Sequence, residues 1–188
     1  MVRVMTDIER TVIEDTQTWL MQAVVGLNLC PFAKAVVVKD RVRYRVCTSA
    51  EPADVLAMLR DELQHLASAD PEQLDTTLLI APHALPDFLD FNDFLSDCDD
   101  VLQDLALDGV LQVADFHPRY QFGGTDVDDM ENFTNRSPYP TLHLLRESSI
   151  DKAVEAYPDA SLIFERNIEM LNKLGHEGWQ ALGVRARV

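Results

Sequence analysis

His117 is the side chain of this sequence best suited to proton transfer. It follows the apolar run 110–116 and precedes Pro118, so a group that titrates near neutrality is presented by a stiffened turn. Asp115, two residues back, shares its side of an extended strand and is placed to orient the imidazole. His143 lies inside a second apolar run, 142–145. Cys30, turned away from helical geometry by Pro31, is a candidate nucleophile wherever the fold supplies a base. Arg119, Arg136 and Arg146 offer planar donor forks that match a carboxylate or phosphate. Tyr120, Asn132, Asn135, Ser137 and Tyr139 add neutral donors and acceptors nearby. Together these describe acid–base work on a small anionic metabolite, with His117, Cys30, His143 and Asp115 catalytic and the others binding. Each has a structural competitor: His117 can bond the loop backbone, Cys30 can be a buried core thiol, and the arginines can pair with Asp126, Asp128, Asp129, Glu131 or Glu147.

Most of these residues fall between Asp115 and Glu147, where two apolar runs flank a polar segment at about 117–140. That segment is longer than compact domains normally leave without structure, which points to a functional loop. Gly123 and Gly124 give it freedom without the spacing of a phosphate-binding loop, and Pro138 and Pro140 stiffen the backbone around Tyr139. If the two runs are neighbouring strands, pairing brings His117 towards Thr141 and His143.

The elements that must position this loop follow from periodicity. Thr6 to Glu9 has the form of a capping box, and Ile8, Val12, Trp19 and Ala23 continue at helical spacing to a C-cap at Gly26. Short strands at about 35–38 and 42–47, with Lys39 and Asp40 between them, read as a hairpin. The second alternates Val42, Tyr44 and Val46 with Arg41, Arg43 and Arg45, which suits a charge-guarded edge strand. Pro52 opens a helix striped by Leu56, Leu59, Leu63 and Leu66, and 76–81 is a compact apolar strand. A helix over 88–107 carries Phe88, Phe91, Leu95, Cys98 and Leu102 on one stripe and a run of aspartates on the rest, best taken as a solvated acidic face. After the loop, Ser148 and Ser149 can cap one short helix and Asp159 another, closed by Gly175. The order predicts one α/β domain over 1–188, a sandwich with a mixed sheet of about five strands covered by helices.

Composition narrows the partners. The formal net charge is −16, which repels phosphate backbones and anionic lipid heads and so argues against nucleic-acid and membrane binding. No Lys or Arg occurs from Asp61 through Pro118, so the arginines that follow call for a local explanation. Three separated cysteines offer no disulfide framework and no CxxC pair. No apolar run has the length of a membrane span and the N-terminus lacks the form of a secretory signal, so the expectation is a cytoplasmic protein.

The segments GLNLCPFA at Gly26 to Ala33, FHPRYQF at Phe116 to Phe122 and NFTNRSPYPTLHLLRE at Asn132 to Glu147 together resemble the bacterial domain-of-unknown-function family numbered 1415. The resemblance spans most of the chain and implies a free-standing single-domain protein, with no activity, cofactor or catalytic assignment attached. Three functions therefore stay open. One is an enzyme on a carboxylate or phosphate metabolite, and the second is a metal or haem protein using His117 and His143. The third is a non-catalytic binding or regulatory protein whose acidic helix meets a basic partner.

Overall fold

The computed structural model describes residues 5–157 and 162–188, so the cap expected at Asp159 lies outside the described residues. Helix α1, Asp7–Trp19, starts on the expected capping box: Thr6 Oγ1 accepts the Glu9 N–H at 3.2 Å and Glu9 Oε2 accepts the Thr6 N–H at 2.8 Å. It continues through a wider π-helical turn, Leu20–Val25. Gly26 is not the left-handed residue that ends it, because its φ is −63° and Asn28 takes the positive φ of 57° instead. Gly26 is required by space, since a Cβ there would meet the Gln22 carbonyl oxygen at 2.3 Å.

The expected hairpin is absent. Ala33–Val38 forms a short helix, α2, and strand β1, Val42–Val46, pairs in parallel with β2, Thr76–Ile80. Three consecutive valines favour extension locally, but a strand there would have no partner, while Val37 as a helical residue packs into the core. Helix α3 is Pro52–Ser68, α4 is Phe88–Asp104, β3 is Leu111–Phe116 and β4 is Thr141–Arg146. The sheet has four strands, not five, in the order β1-β2-β4-β3. The first pair is parallel, and β4 runs antiparallel to both neighbours. The missing fifth strand is the segment taken into α2.

Two helical layers cover the sheet. α3 and α4 bury Leu59, Leu63, Leu66, Phe91 and Cys98 against Leu79, Leu142 and Leu144 on one face. The other face receives Val12 and Trp19 of α1, Leu171 and Trp179 of the last helix, and Tyr139 from the long loop, over Leu78 and Ile80. Helix α5, Glu147–Ala156, follows β4 directly with no side-chain cap; Ser149 donates to Asp75 instead. The last helix, α6, Ile163–Ala181, does not stop at Gly175. That residue breaks it (φ 66°, ψ 176°), and the chain resumes helical form through Trp179. β1 is an edge strand, as its charge pattern suggests, but Arg43 and Arg45 are not simply solvated: Nε of each lies within 2.7 Å of the buried carboxylate of Glu62 on α3. Among the described residues no helix is long and apolar enough to cross a membrane.

Candidate functional site

The two ends of the long loop are neighbouring strands, with Phe116 opposite Thr141 and Ala114 opposite His143. The loop itself is built by its own polar side chains. Asn132, fully buried, accepts the Phe122 N–H at 2.9 Å and the Thr125 hydroxyl at 2.8 Å on Oδ1, and donates Nδ2 to the Asp126 carbonyl at 2.8 Å. Asn135 donates to the Asp115 carbonyl and also bonds Tyr120, whose hydroxyl pKa is pushed up by burial and by the nearby Asp115. Ser137 donates to the Tyr139 carbonyl at 2.6 Å. A short 3-10 helix, Met130–Asn135, packs this scaffold against α6.

His117 is wholly enclosed. Its Nε2 lies 3.0 Å from the Leu85 carbonyl and its Nδ1 accepts the Arg119 N–H at 3.0 Å. These two bonds assign the neutral ring with its proton on Nε2. Phe88 and Phe91 of α4 lie against the ring, 5.5 and 5.0 Å between centroids. Burial lowers its pKa, only partly offset by the Leu85 carbonyl. Asp115 is half-buried and burial raises its carboxyl pKa; the His117 ring finds its partners in Leu85 and Arg119 rather than in this carboxylate. His143 belongs to the opposite face of the sheet, in register with Leu78 and 6.1 Å from the Phe116 ring, and burial pushes its pKa down to about 4. The two histidines therefore stand on opposite sides of the sheet and do not converge on one ion. Among the described residues no group of three or more His, Cys, Asp or Glu side chains is arranged to hold a metal.

Cys30 is half-buried in the bend after α1, where the amide of Asn167 donates to the Leu29 carbonyl at 2.9 Å. It packs on the α1 and α6 side, while His117 packs against α4. Among the described residues no hydrogen bond or ring contact joins Cys30 to either histidine. Cys98 is a core thiol with its pKa pushed up to about 12 by burial and then by Asp99, Asp97 and Asp115.

The arginines separate into structural and available groups. Arg146 is buried and donates to the Leu66, Ala69 and Leu74 carbonyls, closing the C-terminal end of α3. Arg119 pairs with Asp87 at 3.3 Å on the surface. Arg136 stacks 4.4 Å above the Phe133 ring and donates Nε to Tyr120 O at 3.1 Å and one terminal nitrogen to Val127 O at 2.6 Å, leaving its other terminal nitrogen without an acceptor among the described residues. It lines a cleft of about 270 Å³ between the loop and the C-terminal tail. Pro118, Phe133, Ser137 and Pro138 form the loop wall; Trp179, Val184, Arg185 and Ala186 form the other. Burial lowers the Arg136 pKa, a sign that its charge is partly stripped of water. Arg185 is the only arginine among the described residues with no carboxylate, carbonyl or ring as partner.

Sequence reasoning missed Arg185, Phe133 and Trp179 as cleft residues, and it also missed two buried acids. Asp15 falls between Val12 and Trp19 on the buried stripe of α1, and Glu62 falls between Leu59 and Leu66 on that of α3. A carboxylate on an apolar stripe was the available signal, because such a charge must have a partner across the interface. A larger groove, about 370 Å³, runs between the 27–31 bend and α6 past Asn28, Met170 and Lys173; none of the expected site residues lines it.

Neither any curated protein nor any solved structure matches the chain. A family model described as a protein of unknown function, DUF1415, matches residues 11–181, and the chain belongs to that family.

Proposed function

We propose that this protein binds a small anionic metabolite, a carboxylate or a phosphate, in the cleft between the long loop and the C-terminal tail. Arg136 and Arg185 hold the anion. Ser137 and the prolines shape the loop wall, and Phe133 fixes the Arg136 plane from below. The observation that carries this is Arg185, a guanidinium unpaired among the described residues, which shares a cleft with a partly desolvated one in a chain of net charge −16. In a molecule where acids outnumber bases two to one, 32 against 16, a guanidinium left without a carboxylate is available to an external one. His117 serves the site by holding the start of the loop to Leu85 and by staying neutral; both ring nitrogens are already bonded, so binding rather than proton transfer is the role that fits.

Calorimetry with inorganic phosphate and with succinate at low ionic strength tests this. Loss of one charge-assisted contact, at about 1.5–3 kcal/mol, weakens binding by roughly tenfold to a hundredfold in Arg185→Ala. Equal affinity of the wild-type and Arg185→Ala chains for both anions, or no affinity in either, refutes the proposal.

A further inference from the structure

We infer that Asp15 is a positioning residue of this cleft, setting the register of the tail that carries Arg185. The inference rests on the binding role proposed above and adds a residue that lies far from the loop in sequence. The stretch after α6 is irregular, and a segment outside regular structure is ordinarily mobile unless side chains tie it down. Here the tie is a buried carboxylate. Asp15, 4% exposed, accepts the Arg187 backbone N–H at 2.9 Å and the Tyr139 hydroxyl at 2.7 Å on Oδ2, and the Arg187 Nε on Oδ1. The Tyr139 oxygen in turn accepts the N–H groups of Arg187, at 3.0 Å, and Val188, at 3.3 Å. Arg187 also reaches Glu14 at 3.0 Å.

The position of this network in the cleft is what gives it consequence. Tyr139 directly follows Pro138 of the loop wall, and Arg187 directly follows Ala186 of the tail wall. One carboxylate on α1 therefore holds both walls at once, from behind. A charged acceptor is needed, because four donors converge on Asp15 and Tyr139 and only an acceptor-only group can receive the guanidinium and two further hydrogens together. With the tail released, Arg185 keeps its charge but loses its fixed distance from Arg136, and the binding site pays the ordering entropy of the tail at each binding event.

Phosphate affinity of the wild-type chain, Asp15→Asn, Arg187→Ala, Arg185→Ala and each of the first two combined with Arg185→Ala tests the assignment. Asp15→Asn and Arg187→Ala each weaken phosphate binding, by about fivefold to tenfold, although neither residue lines the cleft. In either background Arg185→Ala then costs clearly less than the roughly tenfold to hundredfold it costs alone, because an unregistered Arg185 has less left to lose. Arg187 lies at the surface, so its variant answers the question should Asp15→Asn fail to fold. A purely structural role predicts a lower melting temperature with unchanged affinity, or additive losses, and either result overturns the inference while leaving the cleft intact. If Arg185→Ala alone has no effect, the binding proposal itself fails and this inference falls with it.

Discussion

Replacing His143 with Leu should remove a large part of this protein's acid sensitivity. The imidazole sits in the middle of the sheet between Leu78 and Ala114, beside the Phe116 ring. Burial lowers its pKa from 6.5 to about 4, so the folded chain favours the neutral ring. The unfolded chain takes up the proton first as pH falls. Stability from this group is thus complete above about pH 6.5, declines towards pH 4, and levels off once both states are protonated. At about 1.4 kcal/mol per pKa unit the loss amounts to about 3 kcal/mol, an upper figure because the ring keeps some solvent contact. Urea unfolding at a series of pH values from about 7 down to about 4 measures it. The wild-type curve should fall more steeply than that of His143→Leu, and the gap should open as pH falls. His117, whose pKa burial also lowers, and Asp115, whose pKa burial raises, act in both chains and cancel in the difference. Parallel curves would refute the reasoning.

Two further substitutions test the scaffold. Asn132→Ala removes three hydrogen bonds of the loop and should cost about 2–3 kcal/mol in urea unfolding, with new proteolytic cleavage near Gly123 and Gly124. Arg146→Met strips the end of α3 of its donors and should cost about 3 kcal/mol, with far-UV signal still native at low denaturant.

The parts of the fold legible in the sequence are those where local pattern and tertiary partner agree. The stripe of Phe88, Phe91, Cys98 and Leu102 places α4, and the compact run at Thr76 places the central strand β2. Where the two disagree, the partner decides. Val36 to Val38 extend by propensity but are helical in fact, because β1 pairs with β2 and leaves them nothing to pair with. The site divides the same way. The length and polarity of the loop drew attention to its segment, and Arg136 and Ser137 line the proposed cleft. His117, read as an acid or base, owes its fixed tautomer to the carbonyl of Leu85, thirty-two positions away, which no spacing within the loop reveals. Arg185 could not be singled out by pattern, since what distinguishes it is the lack of a partner among the described residues, and partners are set by the fold.

The central claim is that Arg136 and Arg185 receive one anion together. It is tested most directly by titrating the protein with inorganic phosphate while following the arginine Nε–Hε resonances by NMR. The expected result is that the Arg136 and Arg185 signals move along one saturating curve while those of Arg60 and Arg119, already paired with Asp104 and Asp87, stay in place. Shifts spread evenly over the exposed arginines, or confined to any pair that excludes Arg185, would contradict the account.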